Sequence, residues 1–397
     1  VYACHMTDSI RLITEQSDLD AFCAEIADAT YVAVDTEFLR DSTFWPQLCL
    51  IQAATPEFAA AIDPLADGLD LAPFLKIMAD QQVVKVFHAA RQDLEIFVQL
   101  MGEPPLPVFD TQIAAMVCGF GDSVGYDKLV SAIARVQIDK GPRFTNWAER
   151  PLSAQQLSYA ISDVTHLCVV YERLVSMLES RGRLDWAKEE QRALVDPALY
   201  ANEPDEAWRR LKIRNEKPKF LNVLRAAAAW REREAMRRNQ PRNWVIRDDA
   251  LLNIAAQIPR NENALAKCRG IAKGFAASRG GKEMLEALNA AAELPNTAAP
   301  KPKARRQPDP ELQPTIELLR VLLKRAAERH GVAQRLIAAS DDMEAIAAGD
   351  DSPALNGWRR TVFGEEALKL INGGLAMAIQ DGKVRIFDIE PGQATAD

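Results

Sequence analysis

The sequence predicts an α/β domain built on a mixed sheet, followed by two all-helical domains. Strand-like and helix-like stretches alternate with short connections over the first half of the chain, which is typical of an α/β layer. The second half has helical periodicity and is interrupted by a Pro- and Lys/Arg-rich stretch. A chain of 397 residues has room for two or three domains with separate cores. We place these domains at 6–196, 204–290 and 311–388, with a linker at 291–310.

Apolar, β-branched and aromatic runs mark the strands of the first domain, and apolar residues three or four apart mark its helices. The strands are predicted at residues 11–14, 31–34, 48–53, 58–62 and 83–88. The helices are predicted at residues 17–27, 71–78, 89–100, 110–118, 126–136 and 153–178. Ser17 and Asp110 are residue types that cap helix N-termini, and we expect them to do so here.

Composition argues against several classes of protein. Hydrophobic residues make up 48% and charged residues 26% of the chain, as in ordinary globular proteins. No apolar run approaches the roughly 20 residues of a membrane helix, and no export signal opens the sequence. The six cysteines are widely spaced and only four histidines are present, which argues against a zinc site or a disulfide framework. These features predict a cytoplasmic protein that does not bind membranes.

Charge is distributed unevenly along the chain. The net charge of −8 by itself argues against general nucleic-acid binding. Between residues 207 and 247, however, thirteen Lys or Arg stand against three Glu, an excess of ten positive charges. The sequence contains neither G-x-G-x-x-G nor G-x-x-x-x-G-K-[ST], the phosphate-binding motifs of dinucleotide and NTP sites. We therefore predict a basic second domain and no nucleotide cofactor.

Two acids follow the most apolar strand of the first domain. Asp35 and Glu37 are two residues apart, so in a strand their side chains point to the same face. Two carboxylates on one face repel each other, and a divalent cation with oxygen ligands removes that conflict. An Asp-x-Glu pair alone also fits a strand end whose acids face water. The remainder of the chain decides between these interpretations.

A third acid lies where the first two are expected. Asp93 falls in the first turns of the helix that follows the strand ending at His88. In open α/β sheets, ligands gather at the carboxyl ends of the strands, which is where Asp35 and Glu37 also lie. Taken singly, Asp93 is better explained as an acid favoured by the helix dipole, and His88 is equally a structural or a catalytic histidine.

The turn-rich stretch 139–147 places one basic and two aromatic side chains close together. Arg143, Phe144 and Trp147 could steer or stack on a single strand of nucleic acid. An equally good interpretation is a loop that Phe144 and Trp147 pin against the core.

The last long helix of the first domain presents a tyrosine and an acid together. Tyr159 and Asp163 are four residues apart and therefore share one helical face. The neighbouring residues Leu157, Ile161 and Val164 are expected to pack inward. A core tyrosine with an aspartate as hydrogen-bond partner is the ordinary alternative.

Together and in this order, these residues resemble the ribonuclease D family of the DEDD exonuclease superfamily, in the branch with a tyrosine in the third motif. The matching motifs are Asp35-Thr36-Glu37-Phe38, His88-Ala89 followed by Asp93-Leu94-Glu95, and Tyr159-Ala160 followed by Asp163-Val164. Further matches are Thr43, Pro46, Gln47, Leu48, Leu50–Gln52 and Arg150–Leu152. Asn146 departs from the aspartate that commonly precedes the tryptophan in this family. The resemblance implies a ribonuclease H-like mixed sheet.

The resemblance also implies a site with two divalent metal ions, Mg²⁺ or Mn²⁺. Asp35 would bridge both ions, Glu37 and Asp93 would hold one, and Asp163 the other. Tyr159 and Glu37 would take part in catalysis, with Tyr159 orienting the attacking water. Such ions, about 3.5–4 Å apart, can activate water and neutralise the phosphate. Tyrosine, with an ordinary pKa near 10, is a poor base at neutral pH, so we expect it to orient the water and not to deprotonate it.

The second half resembles HRDC domains, small helical modules thought to bind nucleic acid. The first match spans about 204–288 and includes Trp230-Arg231 and Arg247-Asp248. We expect Arg231 and Arg237 to face water and contact phosphates, although a helical bundle that only supports the catalytic domain is the alternative. A more diverged copy is expected at 311–388, and residues from about 389 are expected to be disordered.

We therefore expect a metal-dependent 3′-5′ exoribonuclease that releases nucleoside 5′-monophosphates. The resemblance implies that it trims tRNA precursors and other small RNAs with a free 3′ end, as a monomer. A DNA 3′-5′ exonuclease is one alternative, because the five motif residues do not read the sugar. A catalytically inactive nucleic-acid-binding protein is another, although such a protein should have lost a ligand residue, and all five are present.

Overall fold

A computed structural model describes residues 10–139, 141–302 and 309–389. The first domain is built on a six-stranded mixed sheet in the order β1-β4-β3-β2-β5-β6. Its strands are β1 (Leu12–Ile13), β2 (Tyr31–Leu39), β3 (Gln47–Ala54), β4 (Ala59–Ile62), β5 (Val84–Phe87) and β6 (Val108–Asp110). β3 pairs antiparallel with β2 and β4, whereas the β1–β4, β2–β5 and β5–β6 pairs are parallel. The predicted mixed sheet is confirmed, and β6 is an addition to the prediction.

Helices cover both faces of this sheet. They are α1 (Gln16–Ile26), α2 (Ala72–Ala79), α3 (Arg91–Met101), α4 (Thr111–Val117), α5 (Tyr126–Ala134), α6 (Ala154–Ser180) and α7 (Leu184–Arg192). The prediction that Ser17 caps α1 is wrong, because the helix begins one residue earlier and Glu15 stands at the cap without a side-chain bond. Asp110 caps α4 as predicted, since its side chain accepts from the N–H groups of Gln112 and Ile113.

Strand β2, one of the two central strands of the sheet, carries the predicted acids Asp35 and Glu37. Asp35 of β2 lies opposite Gln52 of β3, and the register shifts between Glu37 and Phe38. A shift of this kind bends a strand and increases its twist. Beyond the bend, β2 continues to Leu39, five residues further than the predicted strand.

The second domain is an all-helical bundle with its own core. Its helices are α8 (Pro218–Arg238), α9 (Arg242–Val245), α10 (Asp248–Gln257), α11 (Glu262–Ala266) and α12 (Arg279–Glu293). Trp208, Leu224 and Leu251 lie in the buried cluster that joins these helices. Because α12 extends to Glu293, the first three residues of the predicted linker 291–310 are helical. Residues 303–308 of that linker lie outside the described part of the chain.

The third domain is helical up to residue 371 and then forms a β-hairpin. Its helices are α13 (Gln313–His330), α14 (Gln334–Ile337), α15 (Ser340–Ala347), α16 (Gly357–Arg359) and α17 (Glu365–Ile371). The strands β7 (Leu375–Gln380) and β8 (Lys383–Asp388) pair antiparallel. The prediction of an all-helical domain over 311–388 is therefore wrong for residues 375–388. The predicted disordered tail falls almost wholly outside the described residues.

Both helical domains contact the α/β domain. The side-chain oxygen of Asn239, at the end of α8, accepts from the backbone N–H groups of Phe44 and Trp45 at 3.1 and 3.0 Å. On the other side, Trp358 of α16 stacks on Trp186 of α7 with ring centroids 4.7 Å apart. Arg359 donates to both carboxylate oxygens of Glu190 at 2.5 and 2.6 Å. Within the described ranges, no helix is long and apolar enough to cross a membrane.

Candidate active site

The predicted acids and tyrosine meet in one cavity of about 400 Å³ at the carboxyl ends of β2 and β5. Strand β2 contributes Asp35 and Glu37, and helix α3 contributes Asp93. Helix α6 contributes Tyr159 and Asp163, which share a face as predicted. Ser153 starts α6 with a capping box, in which its side chain accepts from Gln156 N–H and the Gln156 side chain accepts from Ser153 N–H. The long helix is thus fixed at the end that carries the site.

The cavity concentrates negative charge that the protein compensates only in part. Burial raises the pKa of Asp35 to about 6, although the Thr36 N–H and Arg143 oppose this effect. Burial, together with the neighbouring carboxylates, raises the pKa of Glu37 to about 9. Burial and Asp35 raise the pKa of Asp163 to about 8. Burial and Asp35 likewise raise the pKa of Asp93 well above its ordinary value. Such shifts in a cleft are typical of functional carboxylates.

Two of the carboxylates are engaged by hydroxyl groups. The Thr36 hydroxyl donates to Asp93 at 2.5 Å. The Tyr159 hydroxyl is hydrogen-bonded to the Asp163 carboxylate, which together with burial raises the pKa of the phenol far above its ordinary value of 10. The hydroxyl of Tyr126 donates to the backbone carbonyl of Asp163 and so holds the helix backbone at that point.

These residues fit divalent cations by the chemistry of their donor set. Hard cations prefer carboxylate oxygens, and the cavity is lined by the four acids of the motifs and by Asp127. The Oδ1 atom of Asp163 is buried without a hydrogen-bond partner, as is expected of an oxygen reserved for a ligand. In their present rotamers, no three Asp, Glu, His or Cys side chains among the described residues are arranged to enclose a metal ion. Instead, the Asp93 carboxylate is hydrogen-bonded to the Thr36 hydroxyl, and the Asp163 carboxylate is hydrogen-bonded to the Tyr159 hydroxyl.

The loop that was predicted to contact nucleic acid divides into two parts. Arg143 lines the cavity and is the single Arg or Lys among the described lining residues. Phe144 is 86% exposed, with the Arg143 guanidinium carbon 5.5 Å from its ring centroid. Trp147 is only 2% exposed and packs against Tyr159 with ring centroids 6.2 Å apart. The prediction that Trp147 stacks on nucleic acid is therefore wrong, because its ring is buried against Tyr159.

The basic residues predicted on α8 differ in exposure. Arg231 is only 3% exposed and donates to Ile246 O and to Asp248 at 2.9 and 2.7 Å. The prediction that Arg231 faces water and contacts phosphates is wrong, because its charge is used within the domain. Arg237 is exposed but makes two hydrogen bonds to Glu234, at 2.8 and 2.7 Å.

Gln52 is a buried polar residue beside the site to which sequence reasoning gave no role of its own. This side chain is fully buried, and both of its amide atoms lack hydrogen-bond partners in the described structure. It lies opposite Asp35 in the β2–β3 register. A glutamine at an inward position of an otherwise apolar strand was the available signal, because an unpaired buried amide is costly.

Comparisons with known proteins agree with this geometry. Residues 10–179 match the family model described as 3′-5′ exonuclease, and residues 220–288 match the HRDC domain. Ribonuclease D of Gluconacetobacter diazotrophicus is 47% identical over 94% of this chain and 96% of its own length. Ribonuclease D of Granulibacter bethesdensis is 48% identical over 95% of this chain and 96% of its own length.

A solved structure resembles the fold over almost its whole length. The crystal structure of Escherichia coli RNase D, an exoribonuclease involved in structured RNA processing, superimposes with a TM-score of 0.77 at 28% identity. The alignment covers 92% of this chain and 99% of that one. The catalytic core of RRP6 from Trypanosoma brucei shares the fold, with a TM-score of 0.53 at 24% identity over 72% of this chain and 80% of that one.

Proposed function

Since this chain belongs to the ribonuclease D family and is a 3′-5′ exoribonuclease, we propose that its cavity hydrolyses the terminal phosphodiester of RNA and releases nucleoside 5′-monophosphates. The observation that carries the proposal is the convergence of Asp35, Glu37, Asp93, Tyr159 and Asp163 on one cavity. Arg143 opposes only part of their charge, which favours cations at this site.

The four carboxylates would hold two divalent ions, Mg²⁺ or Mn²⁺. When bound, such ions supply an activated water and neutralise charge on the phosphate. Glu37 belongs to this set and also lies close enough to Asp35, Asp93 and Asp163 for their charges to raise its pKa. The donor set and the unpartnered Oδ1 of Asp163 support this assignment.

Tyr159 orients the attacking water and does not deprotonate it. Burial, the charge of Asp163 and the hydrogen bond to Asp163 raise the pKa of the phenol, so the hydroxyl stays protonated at neutral pH. We expect Tyr159→Phe to lower kcat by about 10²-fold with little change in RNA affinity, because positioning groups act mainly in the transition state. Single-turnover rates and equilibrium RNA binding measure the two effects separately. A variant with the wild-type rate would contradict this role.

Arg143 and Phe144 would guide the 3′ end into the cavity. Arg143 is placed to contact a phosphate, because it lines the cavity beside the carboxylates. Phe144 offers an exposed ring at the adjacent position, and aromatic rings bind bases of single strands without sequence preference. These two residues are the part of the predicted nucleic-acid contact that has suitable exposure.

We assign RNA with a free 3′ end, including tRNA precursors, as the substrate of a monomeric enzyme. The similarity to Escherichia coli RNase D, an exoribonuclease involved in structured RNA processing, supports this choice. The HRDC match at 220–288 supports a second contact with the RNA. A DNA exonuclease with the same five motif residues is the competing assignment.

A time course on 5′-labelled single-stranded RNA tests the proposal, with Mg²⁺, Mn²⁺ or EDTA and beside a DNA of the same sequence. We expect a ladder that shortens one nucleotide at a time, only with metal and mainly on RNA. Equal degradation of DNA would favour the DNA exonuclease, and bound but intact RNA would favour an inactive binding protein.

A further inference from the structure

Asp110 holds two separate segments of backbone. It lies at the end of β6 and is 2% exposed. Its carboxylate accepts from the N–H groups of Gln112 and Ile113 at 2.7 and 3.4 Å, which caps α4. The same carboxylate accepts from the N–H groups of Ala89 and Ala90 at 3.1 and 2.9 Å. Oδ1 accepts from Ala89, Gln112 and Ile113, and Oδ2 accepts from Ala90, so backbone N–H groups engage both oxygens of this carboxylate.

The segment held by the second pair of bonds leads directly into the active site. Ala89 has a φ of 58°, in the left-handed region that alanine rarely adopts. The turn therefore depends on external hydrogen bonds to keep this conformation. His88 precedes the turn and lines the cavity, and Asp93 lies in the first turn of α3 after it.

Three further hydrogen-bond contacts reinforce the same arrangement. The Thr111 hydroxyl donates to Phe87 O at 2.9 Å and lies 3.0 Å from His88 Nδ1. The backbone N–H of Asp110 donates to Gln191 of α7 at 2.9 Å. Asp110 is thus fixed on both sides, by α7 and by the turn.

We propose that Asp110 is a positioning residue for the exonuclease reaction: its carboxylate fixes the Ala89–Ala90 backbone and thereby sets where Asp93 and His88 stand in the cavity. This inference rests on the proposed function, because it takes Asp93 as a metal ligand. An N-cap needs one oxygen, and serine or asparagine would supply it. The bond from Ala89 N–H shares that oxygen, Oδ1, but the bond from Ala90 N–H goes to Oδ2 and so requires the second oxygen, which explains an aspartate at this position.

The test compares Asp110→Asn and Asp110→Ser with Ser278→Ala in the full-length protein. Both Asp110 variants keep an acceptor for the α4 cap, but they lose the second carboxylate oxygen. Ser278 caps α12 by accepting from Gly281 N–H at 3.2 Å, far from the cavity, so its loss is a matched control for a missing cap. The measurements are kcat, KM for RNA, and the Mg²⁺ concentration that half-saturates both the rate and the Mg²⁺-induced rise in Tm.

For the Asp110 variants we expect kcat to fall or the half-saturating Mg²⁺ concentration to rise by about 10- to 100-fold, with KM for RNA within about twofold of wild type. Ser278→Ala should lower Tm without changing kcat or the half-saturating Mg²⁺ concentration. The inference is overturned if the Asp110 variants lower Tm but retain both the rate and the Mg²⁺ dependence. If they do not fold, Thr111→Val takes their place, because it removes the hydroxyl bonds to Phe87 and His88 while leaving the carboxylate.

Asp163→Asn in the same assays distinguishes the positioning role of Asp110 from the proposed metal site. An inactive Asp163→Asn with fully active Asp110 variants would refute only the positioning role. An active Asp163→Asn would refute the proposed metal site itself.

Discussion

The cavity and helix α8 both bury carboxylates, but they neutralise them differently. On α8, Glu232 is buried and accepts from Arg242 at 2.7 and 2.6 Å and from Arg210 at 2.8 Å. Burial alone would raise its pKa, yet the hydrogen bonds and charges of these arginines outweigh burial and lower it. Glu234, bonded to Arg237 and Arg238, has a lowered pKa for the same reason.

In the cavity, five acids and one cationic side chain, Arg143, are found among the described lining residues. The pKa values of the four motif acids, Asp35, Glu37, Asp93 and Asp163, are all raised, and that of Glu37 reaches about 9. The comparison shows that burial of an acid does not itself identify a functional site. What distinguishes the two regions is whether the cation comes from the chain or must come from solution.

The largest expected effect separates activity from stability in the cavity. Asp163→Asn should reduce the exonuclease rate by about 10³-fold or more, since it removes a proposed metal ligand. In EDTA at pH 8 the same change should leave Tm equal or higher, because it removes a buried charge that burial and the neighbouring Asp35 disfavour. RNA degradation and thermal unfolding measure the two effects. Asp67→Asn, at an exposed position, is the control. A marked loss of Tm would mean that Asp163 stabilises the fold.

An intermediate effect is expected from the matching change on α8. Glu232→Gln should lower the free energy of unfolding by about 1–3 kcal/mol, because it leaves two arginines without their charged acceptor. In a domain of this size that corresponds to a fall in Tm of roughly 3–10 °C. The rate per folded molecule should not change. A normal Tm with a reduced rate would contradict this expectation, because Glu232 would then serve the reaction and not the stability of the second domain.

The smallest effect is a pH dependence of stability in the metal-free protein. The folded pKa values of Asp35, Asp163 and Glu37, about 6, 8 and 9, lie above the ordinary values of 3.8 and 4.5. The folded state therefore holds protons that the unfolded chain has released. The contribution of these groups is fully present below about pH 4 and is lost as the pH rises to about 9.

The difference in Tm between Asp163→Asn and wild type isolates the pH-dependent contribution of Asp163 from the titration of other groups. We expect the variant to gain a few degrees relative to wild type between pH 5 and pH 9 in EDTA. Saturating Mg²⁺ should remove this gain, because the cation stabilises the ionised wild-type site. A difference in Tm that does not vary with pH would contradict a raised pKa of Asp163, because ionisation of this carboxyl group would then not destabilise the folded protein.

Much of the site could be predicted because its signals are local. The i,i+2 spacing of Asp35 and Glu37 and the i,i+4 spacing of Tyr159 and Asp163 each place two side chains on one face, whatever the rest of the fold does. The alternation of elements likewise predicts a mixed sheet. The prediction for Trp147 failed because sequence does not show which aromatic ring of a loop turns inward.

Arg231 illustrates the same limit on the surface of the second domain. The count of basic residues predicts a basic helix, but the fold decides that Arg231 bonds to Asp248 and Ile246 in the interior. The hairpin at 375–388 was missed although the sequence signals it, because Asp381-Gly382 is a typical two-residue hairpin turn and Lys383-Val384-Arg385-Ile386 alternates polar and apolar residues.

The sequence by itself determined the residue types of the chemistry and the elements that carry them, since helix and strand periods fix which neighbours share a face. Only the tertiary structure decided which charges are compensated. Hydrogen bonding depends on atoms far apart in sequence, as when Asp110 holds the turn at Ala89 and Ala90. The same long-range packing leaves the cavity carboxylates with too few cations and gives Glu232 two.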